Sequence, residues 1–196
     1  MHAPVPPVPS SPGRAPVSRV PRTLPAARRA ELQDRLTVEL MTALSAARRR
    51  ALRDGDRQID TAHLLHSLVE SDPAAGAAVG DPERRARVLG YLVQRAIGYG
   101  MRWQRSVEDT GASLPVLRGS EHGGGGWSPA AATALAGAFE RAARRGEHGG
   151  DRRVHGLDLL SALAADPGSR AAEVLRRAGV DPAALTGHGE EPSQQV

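Results

Sequence analysis

The chain has 196 residues and a formal net charge of +4, enough length for one well-packed domain or two small ones. It has no cysteine, which excludes a disulfide framework, a thiol nucleophile and a thiolate-held metal. No apolar run approaches the roughly 20 residues that cross a bilayer, and the N-terminus lacks the apolar core of a secretory signal, so a cytoplasmic protein with no membrane partner is expected.

Residues 1–23 are rich in proline (Pro4, Pro6, Pro7, Pro9, Pro12 among them), which excludes helix and sheet and predicts a disordered tail. Arg14, Arg19, Arg22, Arg28 and Arg29 fall within residues 1–30, which hold no acid. Without those five charges the rest of the chain stands at −1. A nucleic-acid binder concentrates its positive charge on the folded face that meets phosphate. The distribution therefore argues against nucleic acid as the main partner. Weak, salt-sensitive nucleic-acid binding by the basic tail is the alternative function. All the basic residues are arginine and asparagine is absent. That is the usage of a high-GC coding sequence, as in an actinobacterium, so codon bias accounts for part of the arginine excess.

A first helix is expected from about Pro25 or Leu36 to Arg53, because Leu36, Leu40, Ala43, Leu44, Ala47 and Ala51 share one face. Gly55 can end it. Arg48, Arg49, Arg50 and Arg53 are expected on a solvated face. A second helix follows Asp60-Thr61 and buries Leu64, Leu65 and Leu68, and Asp72-Pro73 stops it. A short alanine-rich helix covers Ala74 to Val79. Asp81-Pro82-Glu83 then opens a helix that runs to about Gly98.

Residues 106–126 are expected to be a linker, with four glycines at Gly123 to Gly126 and no lysine to make them a nucleotide loop. Trp127-Ser128-Pro129 starts a further helix, with Ala131, Leu135, Ala138, Phe139 and Ala142 on its apolar face and Gly146 at its end. Helices from Leu157 to Ala164 and from Ala171 to Ala178 follow, then a turn or short helix after Asp181-Pro182. Residues 188–196 are expected to be a disordered tail. No strand pattern is evident.

The pattern occurs twice. Leu64, Leu65 and Leu68 fall on Leu159, Leu160 and Leu163, and Asp72-Pro73 falls near Asp166-Pro167. Each copy follows a helix that opens on a large apolar residue and a hydroxyl: Leu36-Thr37 and Trp127-Ser128. A duplicated unit predicts a pseudo-symmetric domain. The expected fold class is all-α, two pseudo-symmetric helical repeats of about four helices each. They form one domain at about 24–187, with repeat one at about 34–105 and repeat two at about 127–187.

These residues resemble the Clp N-terminal domain, the double-repeat helical domain at the front of Clp-type AAA+ unfoldases. The family's repeat opens F-T-x-x-A and reaches G-T-E-H-[IL]-L-x-x-L. Leu36-Thr37 matches the opening, and the run Asp60 to Leu68 matches the second motif. In the second copy Trp127-Ser128-Pro129 matches the opening, and His155 to Leu160 is a degraded G-T-E-H-L-L. Gly168 to Val180 matches the family's G-x-x-A-A-x-V-L-x-x-L-G-V. The resemblance covers roughly residues 34–186. It implies a free-standing, non-enzymatic protein-binding domain without the ATPase module. Its expected role is adaptor, decoy or ligand sink in Clp-dependent proteolysis. The expected partner is a Clp unfoldase, its clients or its adaptors. The motif glutamates that accept a guanidinium in phosphoarginine-binding members are Ala62 and Leu157 here, so the resemblance implies poor phosphoarginine binding. The expected partner-binding residues lie where the first helices begin: Leu36, Thr37, Glu39, Trp127, Ser128 and Pro129.

Other groupings carry less. His63 and His66 stand three apart on a helix, but a metal site needs further ligands, and no metal or cofactor is expected. No G-x-S-x-G or comparable motif supports a catalytic residue. Glu108-Asp109 and Glu190-Glu191 are expected to be solvated charge. Trp103 and Trp127 are expected in core or seam packing, with an exposed partner-binding aromatic as the alternative.

Overall fold

The computed structural model describes residues 31, 34–96, 108 and 126–187. Repeat one holds α1 (Val38–Arg53), α2 (Thr61–Ser71), α3 (Pro73–Ala78) and α4 (Pro82–Ala96). Repeat two holds α5 (Pro129–Glu147), α6 (Gly156–Ala165), α7 (Arg170–Arg177) and α8 (Pro182–Thr186). The all-α double repeat is as expected, with starts and stops set by the same local chemistry in both halves. Thr37, Asp60, Asp72, Ser128, Ser169 and Asp181 each accept a first-turn amide with the side chain. Such a cap contributes about 1 kcal/mol. Prolines occupy the first positions of α3, α4, α5 and α8, where their missing N–H costs nothing. Gly55 (φ 71) and Gly179 (φ 79) end α1 and α7 in the left-handed region. There the amides of Asp56 and Val180 turn back to the carbonyls of Ala51 and Leu175, both at 2.9 Å.

The two second helices form the centre. Thr61 to Val69 of α2 are buried without a break, as are Asp158 to Ala164 of α6. Leu64, Leu65, Leu68, Leu159, Leu160 and Leu163 lie wholly inside, each worth about 1.5–3 kcal/mol of burial. In repeat one α2 packs on α1, in repeat two α6 on α5, and the two central helices touch each other.

The repeats do not close on themselves. The third helix of each packs on the second helix of the other, α7 on α2 and α3 on α6. The short extended segments cross as well. β1 (Gln58–Ile59), just before α2, pairs in parallel with β2 (Gly126–Trp127), just before α5. Leu36, just before α1, bridges in parallel to Val154, just before α6. The amide of Ser128 donates to the Ile59 carbonyl at 2.9 Å, and the amide of Thr37 to the Val154 carbonyl at 3.1 Å. These strands are two residues long, too short for an alternating pattern to announce them.

Candidate functional site

The interlock brings helix N-termini together in pairs at two pseudo-equivalent junctions, α2 with α7 and α6 with α3. Both junctions hold a carboxylate, from different sources. At the α2–α7 junction it belongs to Glu108, which is only 6% exposed. One of its oxygens accepts from the Thr61 hydroxyl and from the Arg170 amide at 2.8 Å. The other accepts from the Thr61 amide at 2.8 Å and the Ser128 hydroxyl at 3.0 Å. Thr61 and Arg170 are the first residues of α2 and α7, so the carboxylate neutralises two helix ends at once. The Thr61 hydroxyl accepts in turn from the Ala171 amide at 3.1 Å. Beside it the buried pair Asp60–Arg170 spans the same junction at 2.5 Å.

At the α6–α3 junction the carboxylate is Asp72, the cap of α3. One oxygen accepts from the amides of Ala74 at 2.9 Å and Ala75 at 3.1 Å. The other lies over Gly156, where an added Cβ would stand 1.9 Å from it. The equivalent cap in repeat two is Ser169, which has no charge to offer. Glu108 supplies there what Asp72 supplies here. The expectation that Glu108 is solvated charge is thus corrected: its carboxylate is buried because two helix ends and two hydroxyls face it. Asp109, Glu190 and Glu191 lie outside the described residues, as do Trp103 and Gly123 to Gly125.

The residues expected to bind a partner are divided between two cross-repeat junctions. Leu36 and Thr37 sit against Val154; Trp127 and Ser128 sit against Ile59. Thr37 and Ser128 are buried, Ser128 completely. Their hydroxyls accept from the amides of Leu40 at 3.3 Å and Ala131 at 3.1 Å. Ser128 also meets Glu108. Both hydroxyls thus serve as helix caps. Leu36 and Pro129 are half-buried and Glu39 is exposed. Trp127 is 37% exposed, and Val38, absent from the expected set, is 67% exposed. At each helix start an exposed apolar side chain thus stands one residue from the buried cap; Leu52 and Val93 are exposed elsewhere.

The helix caps before α2 and α6 mirror each other with the residue types exchanged. Asp60 caps α2 and accepts from the His63 amide at 2.9 Å, while His63 Nδ1 accepts from the Asp60 amide at 3.2 Å. His155 precedes α6, and Asp158 accepts from its amide at 2.8 Å. The far side of His63 faces two carboxylates, Asp56 at 3.2 Å and Asp54 at 3.7 Å. Asp56, Asp60 and His63 can offer ligand atoms within 4.8 Å of one another. Nδ1 is engaged in the cap, however, and Asp60 in the ion pair with Arg170. His66 points elsewhere, to Glu70 at 3.2 Å. Glu70 also binds Arg50, which is held against the protein rather than fully solvated as expected.

Burial, and next the nearby Arg50 charge, lower the His66 pKa to about 4 against the partial opposition of Glu70 and Asp54. The unfolded chain therefore takes up this proton first. The contribution is whole above about pH 6.5 and is lost as the pH falls toward 4, by up to about 3 kcal/mol. The thermal midpoint should drop more steeply between pH 6.5 and 5 for the wild type than for His66→Gln. Parallel curves would contradict this.

The described residues form an open groove of about 310 Å³ along α5 and α6, lined by Ala134, Gly137, Arg141 and Ala162, that reaches Thr61 and Ser169 at the α2–α7 junction. No described helix is long and apolar enough to cross a membrane.

Set beside known proteins, the chain has the fold of a structure from investigations of a malarial protein secretion system. The TM-score is 0.55 at 17% identity, over 78% of this chain and 90% of that one. The N-terminal domain of the caseinolytic protease associated chaperone ClpD from Arabidopsis thaliana superposes more loosely, with a TM-score of 0.45 at 18% identity over the same shares. In sequence, 149 residues (76% of the chain) are 29% identical to the chaperone protein ClpB of Rhodopseudomonas palustris. The chain spans 15% of that protein's length. No protein-family model matches the sequence. The chain is thus an all-α double repeat similar in sequence to a Clp-type chaperone, in line with the resemblance carried by its motifs.

Proposed function

We propose that the chain is a non-catalytic protein-binding module of the Clp N-domain kind, serving Clp-dependent proteolysis as an adaptor, decoy or ligand sink. The observation that carries this reading is the similarity to ClpB over 76% of the chain, on a sequence that holds no nucleotide loop. Two structural facts support it. The buried acids Asp60, Asp72, Glu108 and Asp158 serve helix caps and ion pairs, leaving none of them for acid–base work. Exposed apolar side chains stand beside both first-helix starts, where the partner surface is expected. The binding surface of this reading comprises Val38, Glu39, Trp127 and Pro129, with Leu36, Thr37 and Ser128 holding it in place.

The test is affinity capture from the native host, comparing the wild type with a Val38→Glu, Trp127→Ala double variant. Both changes sit on exposed side chains and leave the caps intact. The reading expects Clp components or their adaptors with the wild type and at least a severalfold loss with the variant. Absence of every Clp-linked protein from both samples would overturn it.

A further inference from the structure

We infer that the turn after α1 and the start of α2 form a divalent-cation site, with His63, Asp56 and Asp54 as ligands and zinc as the ion their chemistry fits. The observation that carries it is the His63 ring. His63 is 1% exposed, and its Nε2 makes no hydrogen bond among the described residues. That nitrogen faces Asp56 Oδ2 at 3.2 Å and Asp54 Oδ2 at 3.7 Å, and neither contact has hydrogen-bond alignment. A buried polar atom left in this way is costly. A cation placed between the nitrogen and the two carboxylates satisfies all three groups. Bonds of about 2.0–2.1 Å to a tetrahedral zinc set its ligand atoms about 3.3 Å apart, close to both spacings. Gly55, at φ 71, reverses the chain after α1 and brings Asp54 and Asp56 to the same nitrogen.

The other ring nitrogen completes the arrangement. Nδ1 lies 2.7 Å from Asp60 Oδ1. When Nε2 gives its lone pair to a metal, the ring proton belongs on Nδ1, and the Asp60 carboxylate accepts it. A carboxylate behind a histidine ligand fixes the ring and strengthens it as a donor. Asp60 is itself held by Arg170, so it orients His63 and is not counted as a ligand. The second repeat makes a different use of the same place. Asp54 stands as far after Thr37 as Arg145 stands after Ser128, and His63 aligns with Asp158. There the Arg145 guanidinium grips the Asp158 carboxylate. In repeat one the same two positions hold a carboxylate and an imidazole, with Asp56 added: a donor set for a cation in place of an internal ion pair. Arg53 approaches the other oxygen of Asp54 only to 3.8 Å, from a side chain that is 68% exposed. An imidazole with two carboxylates suits zinc better than magnesium or calcium, which favour all-oxygen sites. Water takes the fourth position. This inference stands apart from the proposed function, whose surface lies at the opposite end of α1.

The experiment is calorimetric titration of the full wild-type chain with zinc chloride in a non-chelating buffer at about pH 7, where the ligands are deprotonated. One zinc per chain should bind with an affinity on the order of micromolar. Saturating zinc should raise the thermal midpoint by several degrees, and a chelator should reverse the rise. Asp54→Asn and Asp56→Asn change part-exposed side chains of the turn. Each should weaken binding at least about tenfold while the circular dichroism stays that of the wild type. Millimolar magnesium should not compete. The exposed His155–Asp151 pair is the control, and His155→Gln should bind zinc as the wild type does. Absence of zinc binding by the wild type would overturn the inference. So would binding that neither aspartate substitution weakens, or binding that is lost with His155→Gln. Should the aspartate variants fold poorly, the wild type decides alone. Zinc should then shift the His63 ring signals in its NMR spectrum, and an unshifted ring at zinc saturation would overturn the inference.

Discussion

Replacing Arg145 by methionine should cost about 3 kcal/mol of stability, because it strands a buried carboxylate. The Asp158 side chain is 2% exposed and is gripped at two points by the Arg145 guanidinium, at 2.5 and 2.9 Å. The same guanidinium donates to the carbonyls of Arg153 at 2.7 Å and Asp151 at 3.0 Å, tying the end of α5 to the loop before α6. Its own proton is held more tightly by the bond to Asp158. Asp158 cannot turn to water instead, since it also closes the cap on the His155 amide. For a folded unit of this size the loss corresponds to a fall of roughly 10 °C in the midpoint. Adding Asp158→Asn should recover part of it, because the stranded charge is then gone. A double-mutant cycle by urea unfolding should return a coupling above about 1 kcal/mol. Additive losses, or a single-variant cost below about 1 kcal/mol, would contradict this role for the pair.

Placing alanine at Gly156 should be as costly, about 3 kcal/mol, although alanine favours helix over glycine by about 1 kcal/mol. The added methyl would stand 1.9 Å from an Asp72 oxygen, 2.8 Å from its carboxyl carbon and 3.0 Å from Leu68 Cδ1. The carboxylate can swing away only by releasing the Ala74 and Ala75 amides, so overpacking and loss of a cap are felt together. Thr61 fills the equivalent position of repeat one, with Ser169 in place of the aspartate. In an Asp72→Ala background the Gly156→Ala cost should shrink to about 1 kcal/mol or less. A destabilisation that does not change between the two backgrounds would show that the aspartate is not what the methyl meets.

Much of the fold was legible because it rests on local rules. Asp72-Pro73, Ser128-Pro129 and Asp181-Pro182 announce helix starts by side-chain capping and a proline at the first position. The paired leucine runs announce the two buried helices. The duplication was readable even where residue types had changed, since His155 and Asp158 keep the spacing of Asp60 and His63. What was not legible depends on contacts far apart in sequence. The crossed strands before α2 and α5 are two residues long and leave no alternation to detect. Glu108 lies among polar and glycine-rich residues with no periodicity, so nothing local marks it as buried. Its partners become neighbours only once α7 has packed on α2. The local setting of the hydroxyls at the first-helix starts was hidden for the same reason. A hydroxyl at a helix start reads equally well as a cap or a ligand contact, and the burial of Thr37 and Ser128 makes both of them caps.

A module of the proposed kind should engage the same ligands as the N-domain of a Clp unfoldase. The most direct measurement is competition: adding the purified protein in excess to a reconstituted, adaptor-dependent degradation reaction of the host's Clp protease. The expected result is dose-dependent slowing of degradation that the Val38→Glu, Trp127→Ala variant fails to produce, with the unfoldase's own ATP hydrolysis left running. Degradation that proceeds at an unchanged rate at every dose, with each of the host's Clp adaptors tested in turn, would contradict it.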